Sequence, residues 1–356
     1  MSQKYLKCGL YFVTTKKNRN FERIYTTKMV GEKSAVYPMI GDLTKFEIIK
    51  CHGSGNDFIM IDTTLDEALQ RVDWSAFARV ACDRERGIGS DGLLLVVRYD
   101  DGAYGMDMLN PDGTHAEMCG NGIRCVARLA SERGYLATGV LRSGGRDYQV
   151  AKAEALAEGV EAFSVDIPIR RWSNDFSFFT DGESFVGRVI EPLDADLRFT
   201  ALNLGNPHIV AAVKSIDMEL LRHLGEAVLE HRELFPNGVN VSLYEQRAEN
   251  QIFVATYERG AGITLSCGTA MTASATSAAL LGLVEQGRRV DVRNRGGKVC
   301  CTTHITGDAI VTCLEGNATF EWWGSARFDG EVFSFTIERH TTEQERWKSF
   351  VESING

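Results

Sequence analysis

Two cysteines stand out by the residues on their C-terminal side. Cys119 opens Cys-Gly-Asn-Gly-Ile-Arg-Cys-Val-Ala-Arg-Leu-Ala, and Cys267 opens Cys-Gly-Thr-Ala-Met-Thr-Ala-Ser-Ala-Thr. In each, a Cys-Gly pair runs into a helical pattern. A thiol at a helix N-terminus meets unpaired backbone N–H groups and the positive end of the macrodipole, which favour an anion. Such a thiol can fall below its free pKa of about 8.5 and act as a base or nucleophile. The same N–H groups can hold a carboxylate. Cys8, Cys51, Cys82, Cys125, Cys300, Cys301 and Cys313 read instead as small buried hydrophobes. Nine cysteines without framework spacing argue for reduced thiols rather than a disulfide scaffold. No CxxC or HExxH occurs, and the seven histidines do not cluster with cysteines at zinc-ligand spacing, so no metal is expected.

The two cysteines belong to a long internal repeat. Counting back from Cys119, Asn110 lies 9 residues away, Asp91 28 and Asn56 63. Counting back from Cys267, Glu258 lies 9 away, Asn240 27 and Asn206 61. Both Gly-Asn pairs, Gly55-Asn56 and Gly205-Asn206, come just after a strand pattern. If two such halves face each other, two thiols flank one substrate atom. One as thiolate removes a proton, and the other as thiol delivers one to the opposite face. That is inversion at a carbon acid, with no redox change and no obligatory cofactor. General acid–base catalysis contributes only about 10²–10⁴-fold, so charge developing on an amino-acid carboxylate needs electrostatic help. Two helix N-termini aimed at one carboxylate would supply it.

The elements that must position these residues are readable from periodicity. Strands are expected at 46–51, 58–62, 93–98 and 104–109, with helices over 74–84 and 120–133. In the second half, strands are expected near 201 and 209, at 239–244 and 252–258, with helices over 218–231 and 268–283. Short strands are expected next at 289–293, 298–304, 309–314, 319–322 and 332–337, then a polar helix-prone tail over 341–355 on the surface. The chain has 356 residues, 44% hydrophobic and 24% charged, with 35 Gly and 6 Pro, which suits two turn-rich globular units. A net charge of -9 argues against a nucleic-acid partner. No apolar run is long enough to cross a membrane, and no cleavable leader is evident. The chain therefore reads as cytoplasmic. Residues 1–34 hold eight Lys/Arg against Glu22 and Glu32. Residues 1–44 read as an N-terminal extension, with the domain expected to begin near Met39 and the residues upstream of it dispensable or a misplaced start.

The segments His52–Phe58, Asn110–Gly113 with Met118–Cys125, Asn203–His208, and Tyr257–Gly262 with Ser266–Thr269 closely resemble diaminopimelate epimerases, in family order and at family spacing. The resemblance spans about residues 45–337. It implies cofactor-independent conversion of LL- to meso-diaminopimelate, on an α/β (α+β) fold of two pseudo-symmetric domains. Each would be a curved, mostly antiparallel sheet or barrel around a central helix. The implied halves are 45–165, closed by a strand near 327–338, and 166–326, with a polar tail over 339–356. Carried over by position, Cys119 and Cys267 match the catalytic pair. Gly120-Asn121 and Gly268-Thr269 match the backbone donors for the reacting carboxylate. Asn56, Asn110, Asn206, Asn240, Glu258 and Arg259 match substrate-binding residues, while His208 and Glu258 match residues that tune the thiols. The resemblance also implies a homodimer and a small-molecule substrate.

Some residues depart from the family pattern. Ile263 stands where the family has Glu, Ala270-Met271 replaces a smaller pair, and Ser143–Arg146 and Ile167–Arg170 replace two further family stretches. They bear on rate and substrate preference more than on reaction type. Two rivals remain open: a racemase of another amino acid, of the histidine or proline type, and a thiol sensor forming a Cys119–Cys267 disulfide. Gly87–Gly92 fits GxGxxG, but it lies between a helix and a strand, the wrong order for a dinucleotide. The sequons at Asn240 and Asn317 have no meaning in a cytosolic chain.

Overall fold

The computed structural model describes residues 44–116, 118–171, 176 and 184–355. The expected extension, bar Thr44, lies outside the described residues. In the first half the elements run β1 (Thr44–Gly53), β2 (Asn56–Asp62), α1 (Trp74–Ala81), β3 (Gly92–Arg98), β4 (Tyr104–Leu109) and β5 (His115–Ala116). Then come α2 (Gly120–Glu132), β6 (Val140–Ser143), β7 (Arg146–Ala157) and β8 (Val160–Ile169). The second half runs β9 (Arg188–Ile190), β10 (Asp194–Asn203), β11 (Pro207–Ala212), α3 (Met218–Glu230), β12 (Asn240–Ala248) and β13 (Gln251–Glu258). It continues with β14 (Gly262–Thr264), α4 (Gly268–Leu280), β15 (Arg289–Asn294), β16 (Gly297–Thr306) and β17 (Ala309–Asn317). β18 (Thr319–Phe328), β19 (Phe333–His340) and α5 (Glu343–Asn355) complete it.

The strand pairings repeat. β1 and β2 are antiparallel, α1 crosses over to β3 parallel to β2, and β4 returns antiparallel to β3. A second crossover through α2 places β6 parallel to β4, and β7 and β8 continue antiparallel. β10 and β11, α3, β12, β13, α4, β15, β16 and β17 repeat those steps in order with the same sense of pairing. The final strands are exchanged between halves: β8 pairs with β17, and β18 pairs with β1. The fold is thus mixed α/β, mostly antiparallel, and its sheet stays open rather than closing into a barrel.

Each half centres on one helix. The first eleven residues of α2 (Gly120–Ala130) and of α4 (Gly268–Ala278) are all buried. A helix buried on every side must be enclosed, and α2 packs on β1, β3, β4, β7 and β8, while α4 packs on β11, β12, β13, β15 and β16. One apolar cluster joins the two, running from Ile49, Phe58 and Val126 through Leu314 to Met271 and Ala275. α1 and α3 cover the outer faces with separate clusters around Phe77 and Phe235.

The tail departs from a simple surface helix. Trp347 of α5 is buried against the backbone at Gly297, where a Cβ would lie 2.7 Å from its ring. Glu343 takes both guanidinium nitrogens of Arg128 at 2.6 and 2.8 Å and accepts from Phe320 N. A helix with one aromatic and one acid facing inward docks there, although its average composition is polar. No helix among the described residues is long and apolar enough to cross a membrane.

Candidate active site

Cys119 and Cys267 are the N-caps of α2 and α4, both with extended backbone. The rest of each half-site sits at equivalent strand ends. Asn56 opens β2 and Asn206 precedes β11; Asp91 precedes β3 and Asn240 opens β12; Asn110 comes just after β4 and Glu258 ends β13. Asn56 is delivered by the two-residue turn Ser54-Gly55, in which both residues have positive φ, 54° and 80°. That is the mirror-image turn whose twist suits a hairpin, and it is strained at Ser54. Ser54 is held there by its N–H on Asn317 Oδ1 at 2.7 Å.

The first half-site is connected. Asn56 Oδ1 accepts from Asn121 Nδ2 at 3.3 Å and from the Cys119 thiol at 3.7 Å. Its Nδ2 donates to Asp91 Oδ2 at 2.7 Å. Asp91 in turn takes Arg84 Nη2 at 2.6 Å, and Arg84 reaches Asp57 at 2.7 Å. Burial pushes the Asp57 carboxyl up, but Arg84 and Lys50 outweigh it and hold it down at about 2. Asn110 is bonded within its own turn, to Thr114 Oγ1 at 2.9 Å.

The second half-site is a chain of neutral groups ending at a carboxylate. Cys267 Sγ lies 3.4 Å from Thr269 Oγ1, which lies 3.1 Å from His208 Nε2. Asn206 bonds both, through Nδ2 to Thr269 Oγ1 at 3.2 Å and through Oδ1 to His208 Nε2 at 3.0 Å. Glu258 stands beside Cys267 and is fixed by a short hydrogen bond from Thr264 Oγ1. Asn240 Oδ1 accepts from Arg259 N at 2.9 Å, and the Arg259 guanidinium donates to Asn237 O at 2.6 Å.

The two helix N-termini meet. A Cβ built on Gly268 would lie 2.9 Å from Asn121 Oδ1, so glycine is what lets the first turns of α2 and α4 touch. Cys119, Asn56 and Asn121 are thereby brought to Cys267, Thr269, Asn206 and His208 across one seam.

The resting thiols correct one expectation. The helix-start reading anticipates lowered pKa values, yet both are raised. Burial is the largest cause at Cys119, against the opposing N–H groups of Gly122 and Asn121 and the charge of Arg124. At Cys267 burial is again largest and the Glu258 carboxylate adds to it. Desolvation beats the helix terminus both at the buried Cys267 and at the half-buried Cys119. Thr264, Asp91 and Arg124, which the motifs do not assign, hydrogen-bond to Glu258, Asn56 and Asn121 respectively. Asp91 had a signal in the repeat spacing, and Thr264 survives beside the altered Ile263. Met271 does not crowd the site, since its sulfur packs 3.0 Å from Asn294 Nδ2 beneath the Ser266 loop.

The model of the diaminopimelate epimerase family matches residues 48–155 and 200–321. The chain belongs to the diaminopimelate epimerase family. It is 38% identical over 325 residues to a diaminopimelate epimerase of Ligilactobacillus salivarius, covering 87% of this chain and 99% of the relative. It is 35% identical over 312 residues to that of Clostridium acetobutylicum, covering 85% and 92%. In fold it resembles a hydroxyproline epimerase from Agrobacterium vitis, with TM-score 0.55, 15% identity, and 81% and 93% of the two chains covered. A Bacillus anthracis protein of the phenazine biosynthesis PhzF family is equally near, with TM-score 0.55 and 14% identity, over 79% and 99% of the two chains. Diaminopimelate epimerases thus resemble this chain along most of its sequence, while the likeness to the two solved structures is one of fold.

Two buried histidines give a pH-dependent stability. Burial pulls His208 down to about 3, with the Arg259 charge adding. Burial pulls His52 to about 4, against its hydrogen bond to Gln344. Both lie below the unfolded value of about 6.5, so below that pH the unfolded chain binds more protons. The stability tied to neutral imidazoles is complete above pH ~6.5 and is lost as pH falls toward 4 and then 3. Between pH 7 and 5 the pair should remove roughly 3–4 kcal/mol from the unfolding free energy in denaturant titrations. His208→Gln should halve that slope; a slope unchanged in this variant would remove His208 from the account.

Proposed function

We propose that this chain interconverts LL- and meso-2,6-diaminopimelate by two-thiol proton transfer, without a cofactor. The observation that carries it is the contact of two helix N-termini, each capped by cysteine, through Gly268 and Asn121. One thiolate removes the α-proton and the opposed thiol returns one to the other face. The α-carboxylate lies between the N–H groups of Gly120-Asn121 and Gly268-Thr269, which take up the negative charge of the deprotonated carbon. Water is kept out by the buried seam, which strengthens those interactions.

Asn56, Asn110, Asn206, Asn240 and Arg259 bind the substrate, several of them at its distal amino-acid end. The amides offer donors and acceptors to an ammonium–carboxylate pair, and Arg259 offers a planar fork to the carboxylate. His208, neutral and buried, steadies Thr269 against Cys267 rather than acting as a cation. Glu258 keeps Cys267 protonated, as the acid of one direction. Residues 45–165 with the returning strand supply one half-site and 166–326 the other. The acidic composition and free thiols support a cytoplasmic enzyme, and the family supports a homodimer.

Proton NMR in D₂O tests the reading. With reduced protein, LL-diaminopimelate should exchange its α-proton and the meso form should appear. Histidine, proline, lysine and glutamate in parallel should not exchange. Exchange with one of these instead would move the substrate and keep the mechanism; none at all would sink both.

A further inference from the structure

Beneath the first turn of α2 lies a cation without a counter-charge. Arg124 is fully buried, the bulkiest of the fully buried side chains described. Its guanidinium donates to Gly120 O at 2.8 Å, Asn121 Oδ1 at 2.9 Å, Ser54 Oγ at 3.3 Å and Asn317 O at 3.4 Å. Every acceptor is neutral, and no ion pair joins Arg124 to a carboxylate among the described residues. Gly53 and Gly316 make room: a Cβ on Gly316 would sit 2.8 Å from the guanidinium carbon, and one on Gly53 3.0 Å from Nη2. Burying an unpaired charge is costly, so anchoring alone is a poor reason to keep it.

The repeat supplies an internal comparison. Five residues after Cys267 stands Thr272, as Arg124 stands five after Cys119. Thr272 Oγ1 donates to Gly268 O at 2.8 Å, the counterpart of the Arg124 bond to Gly120 O. A neutral hydroxyl therefore meets the local hydrogen-bonding need in the second half, and what the first half adds is charge. The opposite sign stands beside Cys267, in Glu258.

We propose that Arg124 is a positioning residue of the Cys119 half-site. Its guanidinium locks Ser54, Gly120 and Asn121 in place and makes Cys119, rather than Cys267, the more readily ionised thiol of the pair. This rests on the reading of the two cysteines as the proton-transfer pair. The titratable groups facing Arg124 are Cys119 and Cys125 on α2 and Cys301 on β16. Facing Cys119 are Arg124 and Cys125, with neutral Asn56 from β2. Facing Cys267 are Glu258 from β13 and neutral Thr269.

The test is alkylation by iodoacetamide as a function of pH, read separately at each cysteine by peptide mass spectrometry on the reduced full chain without substrate. Midpoints, unlike absolute rates, do not depend on how accessible a thiol is. In the unaltered protein the Cys119 midpoint should lie at least about one pH unit below that of Cys267. Arg124→Gln, which keeps donors and removes charge, should raise the Cys119 midpoint by roughly one to three units and leave Cys267 in place. Arg124→Lys should stay near the original. Equal midpoints in the unaltered protein, a measurement needing no variant to fold, or an unmoved Cys119 midpoint in Arg124→Gln would overturn the proposal. Preserved midpoints with no α-proton exchange on any amino acid would instead count against the epimerase reading alone.

Discussion

Alanine at either Cys119 or Cys267 is expected to stop epimerisation while leaving half of the proton chemistry in place. Inversion requires a base on one face of the α-carbon and an acid on the other. With one thiol removed, the other can take a proton only from the face it occupies, and deuterium returns to that same face. Cys119→Ala should therefore wash the α-proton out of one stereoisomer without forming the other, and Cys267→Ala should do so for the opposite stereoisomer. Net interconversion should fall by about 10²–10⁴-fold or more, the range for a lost general acid or base. The helix N-termini and the amides remain in both variants, so substrate should still bind, and weakened binding alone would not give complementary exchange. Monitored by NMR in D₂O from each pure stereoisomer, exchange from both isomers in either variant would rule out opposed thiols. A disulfide-based sensor has no such stereochemical signature.

The repeat and its cysteines can be read from sequence because they are locally encoded. Cys-Gly leading into small, uncharged residues along all of α4 announces an enclosed helix; α2 is enclosed as well, although Arg124 and Arg128 disguise it. Gly55 announces a tight turn, and the turn places Asn56 beside Cys119. The features that escaped depend on partners distant in the chain. Cys267 is raised because Glu258 stands beside it and protein surrounds it, and neither desolvation nor that neighbour is visible in a Cys-Gly pair. Arg124 reads as a polar residue on a helix until the strand ends at Ser54 and Asn317 close over it. α5 looks like a solvated tail because the partner of Glu343 is Arg128, 215 residues earlier. The exchange of β8 and β18 between sheets is likewise invisible to a pattern that sees only neighbours.

Gly268→Ala should be the most damaging substitution that leaves both thiols intact. Its added methyl would come within 2.9 Å of Asn121 Oδ1, closer than real Cβ contacts allow. The amide cannot swing aside cheaply. Its oxygen accepts from Arg124 Nη2 at 2.9 Å and its nitrogen donates to Asn56 Oδ1 at 3.3 Å. The strain must be relieved by moving the first turns of α2 and α4 apart, which separates the two thiols and the N–H groups aimed at one carboxylate. A displacement near 1 Å at such a centre costs on the order of 10²-fold in rate, and overpacking adds about 1–3 kcal/mol of instability. kcat/KM should therefore fall about 10²-fold, with the loss mainly in kcat because Asn240 and Arg259 stay in place. Asn121→Ser, which shortens the opposing side chain, should lose activity alone but partly restore Gly268→Ala, since contacting sites couple rather than add. Independent, additive losses in the double variant would mean that the helix N-termini do not meet there, and the site would have to be rebuilt around separate halves.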